Sequence, residues 1–159
     1  GTTAVNVDSL YVGGTAVPSG AEMNAQFGLT VETTTTTDTL LASQSGTRLI
    51  LNTATAFVTT LPTAAEGLFF WIYIGATEPT TSHTVVTAAS ANIIEGVIST
   101  AETDTSSTGV ATAADSDTIT FVANKAIHGD YVYLWCDGTN WYISGMCTVQ
   151  DGMTTTQES

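Results

Sequence analysis

The sequence predicts an all-β fold: a compact β-sandwich, jelly-roll or barrel-like domain preceded by a short N-terminal arm with one short helix. Three observations predict it. Threonine supplies about a fifth of the 159 residues, and a β-branched residue loses rotamer freedom in a helix while fitting a pleated, half-exposed surface. Apolar runs are short, often alternate with period two, and are separated by turn residues at a spacing that suits stacked sheets. Hydrophobic residues make up 43%, enough at this length to bury a core without help from metal or disulfide.

Residues 1–37 read as an arm. Val5-Asn6-Val7 and Leu10-Tyr11-Val12 are short extended segments, and Gly13-Gly14 interrupts them. Ser19 can cap a helix over about residues 19–27, Glu22 completes a capping box, and Gly28 ends it. Met23 and Phe27 are four apart and share a face of that helix, which at two turns needs a surface to dock on. The five threonines Thr33–Thr37 read as a linker or an extended edge.

A β-domain is expected over residues 38–150. Thr39-Leu40-Leu41 and Arg48-Leu49-Ile50-Leu51 flank Ser43-Gln44-Ser45-Gly46 as a hairpin. Phe57–Leu61 alternates and stops at Pro62. Leu68–Ile74 is apolar on both faces, as in a central strand covered on both sides or one whose outer face packs on another subunit. Thr84–Thr87, Asn92–Glu95 and Thr118–Val122 are further short strands. The low-complexity stretch Ser99–Asp117 is expected as an exposed loop, the alternative being a weak hairpin with Gly109 near its tip. Asp130–Cys147 is a hairpin turning at Asp137-Gly138-Thr139-Asn140, and residues 151–159 form a polar tail. In that hairpin Cys136 faces Trp141 and Cys147 faces Asp130. The sulfurs are then roughly 20 Å apart, which excludes a disulfide between them. Both read as small buried hydrophobes of a reducing cytosol.

Charge removes several functions. Fifteen acids stand against two bases, Arg48 and Lys125, for a formal net charge of −13. Nucleic acid and anionic membranes are repelled by such a surface. Gly1–Asn6 lacks the basic start and apolar run of a signal peptide, and no stretch approaches the ~20 apolar residues of a spanning helix. A soluble chain made in the cytoplasm is expected.

Chemistry is sparse. The two histidines, His83 and His128, lie beside turns, and no nucleophile elbow, phosphate loop or zinc-protease helix is present. No enzyme and no cofactor are expected. Asp115 and Asp117, with Glu95, Glu102 and Asp104, could supply oxygens to calcium, but the calcium-loop spacing is missing and a turn into the strand at Thr118 explains the pair more simply. Trp71, Trp135, Trp141 and the tyrosines could stack on sugar rings, although strand aromatics usually serve a core or a subunit interface.

Several segments resemble virion proteins of tailed bacteriophages. They are Thr39-Leu40-Leu41-Ala42, Phe57–Pro62, Thr84–Ala88 with Ser90–Ile94, and Asp137–Tyr142. Val17–Asn24 is similar to the Thr-Ala-x-Glu-Leu-Asn element of phage decoration and fibre proteins, with Met23 in place of Leu. The resemblance implies a capsid decoration or cement protein on the outer surface of the phage head. Such a protein would sit as a homotrimer, bridging capsomers through the major capsid protein. The alternative is a tail-fibre, spike or baseplate component with a receptor- or glycan-binding β-domain. On this reading Phe69, Trp71, Tyr73, Tyr131, Tyr133, Trp135 and Tyr142 are candidate subunit-interface residues. Val5, Val7, Leu10, Tyr11, Met23 and Phe27 are the candidate capsid-contact arm.

Overall fold

The computed structural model describes residues 11–12, 15–16, 30–101 and 110–157. Within them the chain is all-β, two mixed sheets sharing one core. In chain order the strands are β1 (Tyr11–Val12), β2 (Thr15–Ala16), β3 (Val31–Thr34), β4 (Asp38–Thr39), β5 (Arg48–Leu51), β6 (Val58–Thr60) and β7 (Glu66–Ile74). They continue as β8 (His83–Val86), β9 (Ile94–Thr100), β10 (Val110–Ser116), β11 (Thr118–Phe121), β12 (Tyr131–Asp137), β13 (Trp141–Cys147) and β14 (Met153–Thr156). The large sheet has the order β10-β9-β13-β12-β7-β5-β3, and the small sheet the order β14-β11-β8-β6-β4. β1 and β2 form a separate two-stranded pair.

The two halves of the chain are built differently. From Val31 to Val86 successive strands alternate between the sheets. β3, β5 and β7 therefore stack parallel in one sheet, and β4, β6 and β8 stack parallel in the other. This half is a three-turn coil. The second half covers it with antiparallel pairs: β12 on β7, β13 on β12, and β11 on β8. β9 then joins β13 in parallel, and β10 folds back on β9.

Side-chain parity fixes which face is inside. Leu68, Phe70, Ile72 and Ile74 of β7 are buried, as are Val132 and Leu134 of β12 and Trp141 and Ile143 of β13. They share one core with Val85, Ile119, Phe121 and Met153 of the small sheet. One backbone crossing in this assembly has no room for a side chain. Gly96 of β9 lies opposite Ile143 with φ of 136°, and a Cβ there would run into the Ile143 carbonyl.

Four expectations are corrected. Residues 39–41 and 48–51 do not form a hairpin. Asp38–Thr39 and Arg48–Leu51 belong to opposite sheets, joined through a single 3-10 turn at Ala42–Gln44. Both Leu40 and Leu49 then reach the core, one from each side. The boundary at residue 38 is not a structural one, because Val31–Thr34 is already an edge strand of the large sheet. The exposed loop expected over Ser99–Asp117 gives way to its hairpin alternative at both ends: β9 and β10 pair, with a bulge between Ala113 and Ser116, and residues 102–109 lie outside the described residues. The polar tail carries β14, whose register on β11 runs from Thr118↔Thr156 to Phe121↔Met153. A row of threonines is as suitable on an edge strand as in a tail, and here the ladder and buried Met153 hold it.

The Asp130–Cys147 hairpin forms with the expected pairing of Cys136 with Trp141. Both cysteines are buried and free. The expected helix over residues 19–27 and the arm residues Val5, Val7, Leu10, Met23 and Phe27 lie outside the described residues, as does the side chain of Tyr11.

A buried histidine predicts that acid will destabilise this fold. His83 is fully buried, 4.4 Å from the Phe57 ring, with Nε2 2.8 Å from the Thr53 carbonyl. Its Nδ1 has no partner among the described residues. Desolvation holds the imidazole below the usual histidine range, while the Thr53 bond acts the other way. The neutral ring therefore contributes stability that is complete above the unfolded-state value of about 6.5. That contribution is lost as pH falls from there through the folded value. The urea midpoint should drop between about pH 7.5 and about pH 5.5, and His83→Gln should flatten the drop.

Candidate functional site

Each strand that buries one face turns the other outward, and in the large sheet that outer face is aromatic. Phe69, Trp71 and Tyr73 of β7 alternate with buried neighbours, as do Tyr131, Tyr133 and Trp135 of β12. Tyr142 of β13 lies directly across from Trp135. All seven aromatics expected at a subunit interface are thus on one face of one sheet, opposite the core. Of the other candidate stacking residues, Trp141 is fully buried and leaves the surface set.

Cross-strand register sorts the face into rows. One runs Val31, Arg48, Trp71, Tyr133, Ser144, Val97, and the next Thr33, Ile50, Tyr73, Tyr131, Met146, Ser99. Trp71 and Tyr133 lie 4.6 Å apart, Tyr73 and Tyr131 5.6 Å, and Phe69 sits edge-on to Trp71 at 5.8 Å. The Arg48 guanidinium lies 5.0 Å from the Trp71 ring centroid, a cation–π contact that no local sequence pattern signals. Neither row contains an acid. Val31, Val97 and Met146 add exposed apolar surface to them. At their β3–β5 end the two rows form part of a groove of about 500 Å³, lined by Val31, Arg48, Ile50, Tyr73 and His128, among others.

A third row, Phe69, Trp135, Tyr142, Glu95, has a different border. Glu95 ends it, and Asp137 stands opposite Glu66 at the strand end beside it. Asp137 Oδ1 accepts the Thr139 and Asn140 backbone N–H groups, each at 2.8 Å, and Oδ2 accepts the Tyr142 hydroxyl at 3.1 Å. The two backbone bonds, with the Tyr142 bond adding to them, hold the Asp137 carboxyl below the usual aspartate range.

The acidic pair considered for calcium is divided. Asp115 is exposed with φ of 49°, and its N–H donates to Glu95 Oε1 at 3.1 Å, whereas Asp117 is buried. The two residues lie where the chain leaves β10 for β11, at the bulge. Glu102 and Asp104 lie outside the described residues, and among those described no three His, Cys, Asp or Glu side chains converge as metal ligands. No described helix is long and apolar enough to cross a membrane. His128 pairs with Glu78 at 2.9 Å on the surface.

Comparison with family models, with curated proteins and with solved structures returns no match.

Proposed function

We propose that this chain is a structural protein of a tailed-phage particle, a head decoration protein that associates with copies of itself through the aromatic face of its large sheet. The observation that carries the self-association is the distribution of charge. In a chain of net charge −13, the two central rows hold no acid and contain one of its two bases, Arg48. Copies can approach there without carboxylate facing carboxylate, and they bury aromatic rings when they do. A closed three-fold arrangement suits the homotrimer that the sequence resemblance implies. The major capsid protein would be the second partner, and repeated weak contacts across a lattice would then act through avidity.

Copy number per virion, counted by quantitative mass spectrometry against the major shell subunit, tests the location. Near-stoichiometric abundance supports decoration, whereas a few copies per particle move the protein to the tail or a vertex. The interface is tested on the isolated protein by sedimentation velocity. Trimers are expected, and Tyr131→Asp should give folded monomers because its cross-strand row holds no base to pair with the new carboxylate. An unchanged trimer in that variant would remove this face from the assembly.

A further inference from the structure

We propose that Trp135 and Tyr142 form a binding platform for an uncharged saccharide, with the acidic end of the hairpin as its hydrogen-bonding rim. Trp135 is the aromatic side chain left most open, at 44% exposure, among the described residues. Its indole stacks on Tyr142 with centroids 4.5 Å apart and 21° between planes. Tyr142 is itself fixed, because its hydroxyl donates to Asp137 Oδ2, and the other Asp137 oxygen is held by the turn backbone. The rings are therefore held in place before any ligand arrives, and little side-chain entropy remains to be lost on binding. An apolar surface with a few fixed polar groups beside it is the composition of a small-molecule site.

The exposed part of the Trp135 indole offers contact to the C–H face of a pyranose. Asp137, Glu66, Glu95 and the Asn140 amide lie at the same end of the sheet and can take hydroxyl groups. Charge sets the ligand class. Three carboxylates at the rim of a −13 chain disfavour sulfated or uronic-acid polymers, so the saccharide is neutral. The platform is the row next to the acid-free rows assigned to self-association, on the side where the sheet ends in Asp137 and Glu66. The platform does not depend on whether the protein decorates a capsid.

Native affinity electrophoresis in gels containing dextran, mannan, galactan or laminarin provides the test, with dextran sulfate as the anionic control. Retardation by at least one neutral polymer and none by dextran sulfate is expected. Trp135→Ala should weaken retardation at least about tenfold, with the variant still folded and its melting temperature only slightly lowered, because the residue lies outside the core but loses its stack on Tyr142. Tyr142→Phe, which keeps the stack and releases Asp137, should weaken it less. Trp71→Phe should leave it unchanged. No retardation by any of the four neutral polymers, equal retardation of Trp135→Ala and the parent, or preferential binding of dextran sulfate would each overturn the proposal.

Discussion

Gly96→Ala should destabilise the protein by roughly 3 kcal/mol or more, a large share of the stability of a domain this size. Two independent costs meet at this residue. Its φ of 136° is a conformation that side chains rarely adopt, and an added Cβ would collide with the Ile143 carbonyl in the neighbouring strand. Backbone cannot move aside as a flexible side chain can, so β9 and β13 would have to separate. Ile94 and Ile98 are buried on the same strand and would lose their seats. Gly129→Ala is the matched comparison, since Gly129 has φ of 90° but open space where a methyl group would sit. That variant should cost only the conformational term, about 1–2 kcal/mol. Urea denaturation of both variants checks the ordering, and equal midpoints would show that β9 and β13 leave room for a side chain after all.

Asp130→Ala should cost about 2–4 kcal/mol, through donors left behind rather than through a lost charge. Asp130 is 2% exposed and closes the loop before β12. Oδ1 accepts both the N–H and the hydroxyl of Thr148, at 2.8 and 2.9 Å, and Oδ2 accepts the Ile127 N–H at 3.0 Å. Its own carbonyl accepts the Ile74 N–H at 2.9 Å. One side chain therefore ties the entry of β12 to the exit of β13. Asp130→Asn keeps an acceptor for Thr148 and loses the one for Ile127, so it should cost about half as much. Hydrogen exchange gives a local readout: the Thr148 and Ile127 amides should lose protection before the core amides do. Equal stability of the Ala and Asn variants would show that these donors find other partners.

Period-two alternation makes the aromatic face legible in the sequence. Residues 69, 71 and 73 share parity on one strand, as do 131, 133 and 135 on another, and the Asp137–Asn140 turn brings Tyr142 opposite Trp135. Pairing partners were not legible in the first half of the chain. Alternation identifies a strand and its inner face, but it does not say whether the next strand lies beside it or across the core. Thr39–Leu41 and Arg48–Leu51 therefore read as a hairpin, whereas they line opposite walls. β10 and β14 were hidden by composition, because Ala, Ser and Thr signal an exposed edge and an irregular segment alike. The acid border of the Trp135 row depended on register too. Glu66 and Glu95 are far from Asp137 in sequence, and only the pairing of β7, β12, β13 and β9 brings them to one end.

The division between a coiled first half and an antiparallel cover has a kinetic consequence. Each turn of the coil must close over a long loop before its strand gains a partner, and β7 and β8 wait for residues 118–137 to cover their second edges. Pairings of such sequence separation place folding in the slow, millisecond-to-second range of β proteins. On the ribosome, the coil can be complete while those edges are still open, a state suited to unwanted pairing between nascent chains. Synthesis of residues 118–137 is then the step that covers those edges and removes the hazard.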